Sequence, residues 1–153
     1  MGYTMEPIGT VMGGRAEAID DDWGEVVSTV VLDASRVGPD AAVGLEEFSH
    51  VEVVFVFDKV DPADVVIGAR HPRGNTAWPK VGILAQRARL RPNRIGVTVC
   101  ELVSVEGAVL TVRGLDAVDG SPVLDVKPYM AEFAPRGALR QPVWSSELMR
   151  DYW

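Results

Sequence analysis

The sequence predicts a mainly β protein, a small closed or partly open β-barrel with a few short helices and long loops. Three observations favour it: several short segments rich in β-branched residues, 15 glycines and 10 prolines among 153 residues, and little helical periodicity. Short strands separated by glycine- and proline-rich turns are typical of all-β barrels.

Strand signals follow one another along most of the chain. Residues 26–32 are rich in β-branched side chains, and 48–57 form an almost continuous apolar run, FSHVEVVFVF, suited to a strand covered on both faces. Residues 97–103 and 108–113 flank the turn signal Glu106-Gly107 and predict a hairpin. Residues 123–126 predict one more short strand.

Helical signals are short. Residues 41–48 predict a turn of helix, and 145–150 begin with capping residues after Pro142. Long loops are expected over 13–23, 61–80 and 131–142. Loops of this length in a compact domain are usually functional or disordered.

Length and cysteine content predict one domain over 1–153, with its core over 6–130 and a short C-terminal extension over 131–153. The single cysteine, Cys100, cannot form an internal disulfide and is expected to be a small core residue. No apolar run is long enough for a membrane span, and the first residues do not resemble a secretory signal. We therefore expect a cytoplasmic protein.

The charge is distributed unevenly. The net charge is −7, yet seven of the 15 cations lie between Arg70 and Ile95, a stretch without Asp or Glu. An acidic body with one basic segment indicates a local anion site instead of a surface that binds polyanions everywhere. On composition alone, a solvated basic loop paired with acids is an equally good interpretation.

Several familiar chemistries lack their motifs. The chain contains neither the glycine pattern of a dinucleotide-binding fold nor that of a P-loop, and no nucleophile-elbow motif. One cysteine and two histidines, His50 and His71, do not form a zinc cluster, so no metal is expected. The turn Asp119-Gly120-Ser121-Pro122 is by itself best explained as a tight connection between strands.

Read in order, several motifs resemble one family. They are Pro7-Ile8-Gly9, GLEEFSH at 44–50, FVF at 55–57, Arg87, RPNRIG at 91–96, Gly114-Leu115-Asp116 and DGSPVLDVKPY at 119–129. Together they are similar to the TsaA-like (TrmO) family of S-adenosylmethionine-dependent tRNA methyltransferases. Where that family often has Pro-Arg-Gln, this chain has Trp23-Gly24-Glu25, and only Arg87 is kept from its Thr-Arg-Ser-Pro motif.

The resemblance implies a β-barrel enzyme that binds S-adenosyl-L-methionine and acts on tRNA. It implies a homodimer with the cofactor near the subunit interface, and methylation of the exocyclic nitrogen of threonylcarbamoyl-adenosine beside the anticodon. Two alternatives stay open: a non-catalytic S-adenosylmethionine-binding sensor, or a methyltransferase of another RNA or small molecule. A small RNA-binding protein without a cofactor is a third.

The resemblance also assigns residues to roles. The expected cofactor-binding residues are Trp23, Gly24, Glu25, Asp58, Lys59, Arg87, Val97, Asp119, Gly120, Ser121 and Pro122. We expect tRNA phosphates at the cations Arg70, Arg73, Lys80, Arg91 and Arg94, because guanidinium and ammonium groups donate charge-assisted hydrogen bonds to phosphate oxygens. The candidate catalytic residues are Asp116 and Tyr129, since the acceptor nitrogen has a proton to lose.

Overall fold

The computed structural model describes residues 1–153, and six of its strands form a closed antiparallel barrel. Their order around the barrel is β1-β2-β7-β6-β3-β8, and β8 returns to β1. The predicted small β-barrel is therefore confirmed. The strands are β1 (Gly9–Gly13), β2 (Val27–Leu32), β3 (His50–Val56), β4 (Ala69–Arg70), β5 (Val81–Gly82), β6 (Ile95–Glu106), β7 (Val109–Arg113) and β8 (Pro122–Pro128).

The strands predicted from β-branched segments are confirmed, and β6 and β8 are longer than predicted. The β6–β7 hairpin turns at Gly107, whose φ of 60° lies in the left-handed region that glycine adopts without steric cost. β1 was not predicted, and neither was the two-residue pair β4–β5 inside the 61–80 loop.

β3 alternates more than its apolar sequence suggests. Val51, Val53 and Phe55 are buried in the barrel, whereas the residues between them are only half-buried. The prediction of a strand covered on both faces was therefore wrong in part. In a closed barrel, successive side chains point alternately into the core and outward.

Helical structure is limited to α1 (Ala34–Val37), α2 (Val143–Leu148) and short 3₁₀ turns. Asp33 caps α1 by accepting a hydrogen bond from the Ser35 amide at 3.0 Å. The helix expected over 41–48 is reduced to a 3₁₀ turn at Leu45–Glu47, and the one expected over 145–150 begins two residues earlier as α2. No helix combines the length and apolar character that crossing a bilayer requires.

The core fills the barrel with aliphatic side chains from all six barrel strands. Cys100 belongs to it, as expected, and is 3% exposed. Alternating inward residues of a barrel this small leave room only for side chains, so a ligand site has to lie outside the barrel. The fully buried aliphatic members are Val11, Val30, Val51, Val53, Leu110, Val112, Leu115 and Val123.

The packing is tight where β3 pairs with β6 in the barrel. Phe55 lies opposite Gly96 in the register, and its ring covers the glycine. A Cβ atom at Gly96 would lie 2.5 Å from Phe55 Cζ, well inside van der Waals contact. Because Phe55 is 1% exposed and held by the core, it has no free space into which to move.

We therefore expect Gly96→Ala to destabilise the fold by about 1–3 kcal/mol, the usual cost of overpacking a core. Chemical denaturation monitored by tryptophan fluorescence measures this change. Gly82→Ala is the matched control, because Gly82 also lies in a strand and a Cβ there meets nothing closer than 4.0 Å. Equal stability of the two variants would contradict the packing argument.

Candidate active site

A cleft of about 1430 Å³ lies against the outside of the barrel. Large ligand sites usually measure roughly 300–1,000 Å³, so this cleft has room for more than one small ligand. Residues far apart in the chain line it, both apolar and charged. They come from parts of 16–23, 52–64, 70–73, 84–99, 116–121 and 144–153.

Asp116 is the carboxylate with the most defined surroundings in the cleft. Its Oδ1 accepts a hydrogen bond from Thr98 Oγ1 at 2.5 Å, and its Oδ2 accepts one from the Tyr152 hydroxyl. Thr98 is buried on β6, and Asp116 follows the end of β7. The carboxylate is thus fixed between the barrel wall and the C-terminal segment.

Two groups near Asp116 are held in their neutral forms. Burial, reinforced by the negative charge of Asp116, raises the pKa of the Tyr152 hydroxyl far above its usual range. The same two causes raise the pKa of the Cys100 thiol to about 12. Tyr152 therefore remains a hydrogen-bond donor at neutral pH, and Cys100 remains an unreactive thiol.

Arg87 lies at the rim of the cleft. Its guanidinium donates to the Val97 carbonyl at 2.6 Å. One N–H of five is used in this bond, and the group is exposed on its other sides. Arg87 is thus oriented by β6 while it retains donors for an anion.

The loop over 14–26 packs against the basic segment of the chain. Arg73 forms an ion pair with Asp21 at 3.0 Å, and Arg89 donates to the Ala18 carbonyl at 2.8 Å. Lys59 reaches the Ala16 carbonyl at 3.3 Å. The interpretation as a basic loop paired with acids therefore holds for Arg73, while the cleft between the two segments retains other cations.

Trp23 anchors this acidic loop. It is 3% exposed, its indole N–H donates to the Ile19 carbonyl at 2.8 Å, and the Arg15 guanidinium lies 4.6 Å from its ring centroid. Such stacking of a cation on an aromatic face is attractive. Trp23 therefore lines the cleft as part of a fixed wall.

Gln86 holds the basic segment in place. It is 6% exposed, and its amide nitrogen donates to the Arg70 and Val81 carbonyls at 3.0 and 3.1 Å. Its own backbone carbonyl accepts from Arg91 at 2.5 Å. Through these bonds one residue joins β4, β5 and the turn that precedes β6.

The structure brings together about half of the residues that the sequence assigned to the site. Six of the expected cofactor-binding residues, from five chain segments, line the cleft together with Asp116. Three of the expected phosphate-binding arginines line it as well. The residues are Trp23, Asp58, Lys59, Arg87, Val97 and Ser121, with Arg70, Arg73 and Arg91.

The other assigned residues lie outside the cleft. Tyr129 follows β8, and its amide donates to the His50 carbonyl at the start of β3. At about 3.3 Å per strand residue, it lies some 20 Å or more from Ser121, at the opposite end of β8. The structure therefore does not bring Tyr129 to Asp116. Also absent from the lining are Gly24, Glu25, Asp119, Gly120, Pro122, Lys80 and Arg94.

Several of these residues have structural contacts instead. Asp119 Oδ1 accepts the Gly13 amide at 2.8 Å, which fixes the turn beside β1. Arg94 donates to the Val60 carbonyl at 2.7 Å. At Gly24, a Cβ atom would lie 2.7 Å from the carbonyl carbon of Trp153, so the C-terminal segment occupies the space beside it.

The residues of the site that sequence reasoning missed include Gln86, Thr98, Tyr152 and Trp153. Gln86 stands directly before Arg87, where the family motif differs, which marked the position without indicating its role. Thr98 was visible only as a polar residue in a strand. Nothing in the sequence of the C-terminal segment indicated that Tyr152 reaches Asp116. No group of three or more His, Cys, Asp or Glu side chains is arranged to hold a metal ion.

Comparison with known families identifies the family of this chain. Residues 22–134 match the family model described as the tRNA-methyltransferase O N-terminal domain. The chain belongs to this family. The expected TsaA-like (TrmO) family is thereby confirmed.

Named relatives and solved structures agree with this assignment. The chain is 45% identical over 91 residues to the tRNA (adenine(37)-N6)-methyltransferase of Mus musculus, covering 60% of this chain and 21% of that one. It is 41% identical over 96 residues to the enzyme of the same name from Escherichia coli, covering 60% and 40% of the two chains. A crystal structure of TrmO from Pseudomonas aeruginosa superimposes with a TM-score of 0.74 at 28% identity, covering 94% and 63%.

The relatives differ in length from this chain. It spans about a fifth of the mammalian proteins. It covers 67% of a shorter protein from Methanothermobacter thermautotrophicus, to which it is 43% identical over 98 residues and which bears the name "Probable S-adenosyl-L-methionine-binding protein". The family match over 22–134 contains five of the six barrel strands.

The contacts of Gln86 yield a prediction for the basic segment. Gln86→Ala leaves two carbonyls without their donor, and each unsatisfied buried polar group costs about 1–3 kcal/mol. We expect reduced stability and faster hydrogen–deuterium exchange, concentrated in residues 69–91. Gln141→Ala serves as the control, because Gln141 is exposed and bonds only to Ser145 and Ser146. Exchange unchanged over 69–91 would refute the role of Gln86.

Proposed function

We propose that this chain binds S-adenosyl-L-methionine in the cleft and transfers its methyl group to tRNA. The proposed reaction is that of a tRNA (N6-threonylcarbamoyladenosine)-N6-methyltransferase, at adenosine 37 as the names of the relatives indicate. The observation that carries the proposal is the convergence of six expected cofactor residues, from five chain segments, on one cleft. Membership of the tRNA-methyltransferase O family supports it.

The residues of the cleft fit such a cofactor. S-Adenosyl-L-methionine combines a flat base, ribose hydroxyls and an amino-acid group with both charges. The cleft offers Trp23 and Phe57 as apolar walls, Asp58 and Asp116 as acceptors for hydroxyl or ammonium groups, and Arg87 as a donor for a carboxylate. When bound, the cofactor supplies an electrophilic methyl group on a sulfonium.

In the proposed reaction Asp116 takes up the proton of the acceptor nitrogen. That nitrogen is conjugated with a carbonyl and is a poor nucleophile until it loses the proton. The N–H bond breaks toward the Asp116 carboxylate, and its electrons stay on nitrogen for the new N–CH₃ bond. A bound cofactor would supply the methyl group and would keep the electrons of its S–CH₃ bond as a neutral thioether. The other contribution of the protein is to position the reacting groups.

The tRNA is proposed to approach from the basic side of the cleft. Arg70 and Arg91 line it, and each uses only part of its five N–H donors within the protein. They are suited to phosphate oxygens or to the carboxylate of the threonyl group. Arg73 is partly neutralised by Asp21 and is expected to contribute less.

We also propose a homodimer in the cytoplasm, with the cofactor near the subunit interface. Two apolar side chains at the cleft, Ile19 and Leu84, are 53% and 79% exposed, and a second copy would cover them. The cytoplasm is where a tRNA substrate is found and where the lone Cys100 stays reduced. Light scattering with and without S-adenosyl-L-methionine measures the oligomeric state.

Asp116→Asn tests the proposed proton acceptor. General bases contribute about 10²- to 10⁴-fold, so we expect a loss of this size in the transfer of labelled methyl groups to tRNA from a strain that lacks the modification. Asp40→Asn, an exposed carboxylate away from the cleft, should retain full activity. Wild-type protein that binds the cofactor without transferring methyl groups to tRNA would instead indicate a sensor or another substrate.

Arg87→Ala tests the cofactor site separately. Hydrogen bonds to charged groups contribute about 1.5–3 kcal/mol, so calorimetry should show S-adenosyl-L-methionine binding weakened by about one to two orders of magnitude. Arg113→Ala is the matched control, because Arg113 pairs with Glu101 outside the cleft. Unchanged affinity in Arg87→Ala would remove this residue from the site, and no binding by wild type would favour an RNA-binding protein without a cofactor.

A further inference from the structure

The C-terminal segment over 143–153 forms one wall of the cleft. Three side chains of its helical part, Trp144, Leu148 and Met149, line the cavity. Glu147 on α2 accepts a hydrogen bond from the Trp78 indole N–H at 2.8 Å, which fixes the helix to the loop between β4 and β5. This segment lies beyond residues 22–134, which carry the family match.

The end of the segment is fixed on its other side as well. The Asp22 amide donates to the Asp151 carbonyl at 2.9 Å, and the Trp23 amide donates to the Tyr152 carbonyl at 2.8 Å. Two consecutive backbone bonds hold this turn of the chain against the acidic loop. The turn directs the Tyr152 side chain into the cleft, where its hydroxyl meets Asp116.

Two hydroxyl donors hold the two carboxylate oxygens of Asp116 separately. Thr98 donates to Oδ1 and Tyr152 donates to Oδ2. A carboxylate with one bond on each oxygen has a fixed plane, and each oxygen still has a free acceptor site. Asp116 is therefore oriented without being blocked.

We propose that Tyr152 is a positioning residue of the methyl-transfer site, which together with Thr98 aims the free acceptor sites of Asp116 at the ligand in the cleft. This inference rests on the proposed function. The C-terminal segment thereby has a part in the chemistry, in addition to closing the cleft.

The charges around Tyr152 keep its hydroxyl a donor. Burial and the negative charge of Asp116 raise the pKa of Tyr152, and the cations Arg87 and Arg73 oppose this shift without cancelling it. The hydroxyl is therefore protonated throughout the pH range in which tRNA is stable.

A double-mutant cycle tests the role in catalysis. Tyr152→Phe keeps the ring and removes the hydroxyl, so we expect kcat to fall by about one to two orders of magnitude, as misplacement of a reacting group does. The dissociation constant for S-adenosyl-L-methionine should change less than threefold or so, a small part of that loss. In an Asp116→Asn background Tyr152→Phe should have no further effect, because it acts through the carboxylate.

Thr98 supplies the conservative control of the same geometry. Thr98→Ser keeps a hydroxyl and should retain activity, whereas the nearly isosteric Thr98→Val removes it and should lower kcat as Tyr152→Phe does. Losses that multiply in the Tyr152→Phe, Asp116→Asn double variant, or a Tyr152→Phe variant with wild-type kcat, would overturn the proposal.

A second measurement does not depend on activity. Phenol ionisation followed by ultraviolet absorbance should show one of the three tyrosines titrating far above the usual value of about 10. This high titration should move toward that value in Asp116→Asn and vanish in Tyr152→Phe. If all three tyrosines titrate normally in wild type, Tyr152 does not hold Asp116. If wild type methylates no tRNA while Tyr152 titrates as expected, the proposed function and the catalytic role of Tyr152 are refuted. The contact between Tyr152 and Asp116 stands in that case.

Discussion

Closure of the barrel is the constraint on which the rest of the structure depends. β1 meets β8 through only two residue pairs, and the seam continues through a bond of 2.9 Å from the Val11 amide to the Ser121 carbonyl. An open sheet would leave two edges of unpaired backbone groups. Because closure fixes where every strand ends, it also determines that Asp116 and Ser121, which lie in the connection between β7 and β8, face one cleft.

The arginines of the basic segment combine two properties of the guanidinium group. Arg87, Arg91 and Arg94 each donate to a backbone carbonyl and thereby fix the long connection between β3 and β6. A guanidinium has five donors in a planar fork, so one bond within the protein does not exhaust it. The cations concentrated in this segment thus stabilise a connection that contains almost no regular structure. Arg87 and Arg91 line the cleft, and their remaining N–H donors are available to an anion there.

The parts of the molecule that could be predicted are those determined by local pattern. β2, β3 and the β6–β7 hairpin follow from β-branched runs and the turn at Gly107, and the resemblance located six of the expected cofactor residues in the cleft. β1 was not predicted because Gly9 and Gly13 at its ends are residues typical of turns. The contact of Tyr152 with Asp116 was not predicted because the two residues are 36 positions apart in the sequence, and only the folded barrel brings them together. Tyr129 was assigned to the site because of its motif, and the motif does not indicate which end of β8 faces the cleft.

Backbone carbonyls of the acidic loop accept several of the bonds that hold it. Arg89 of the basic segment donates to the Ala18 carbonyl, Lys59 after β3 to that of Ala16, and Arg15 of the loop itself to that of Asp21. A carbonyl is present whatever side chain a residue carries, so most substitutions along 16–22 leave these attachments in place. Evolution can therefore vary the side chains at the mouth of the cleft without dismantling its wall. In a family whose barrel is shared by proteins of very different length, this loop is a place where substrate preference can diverge while the fold is retained.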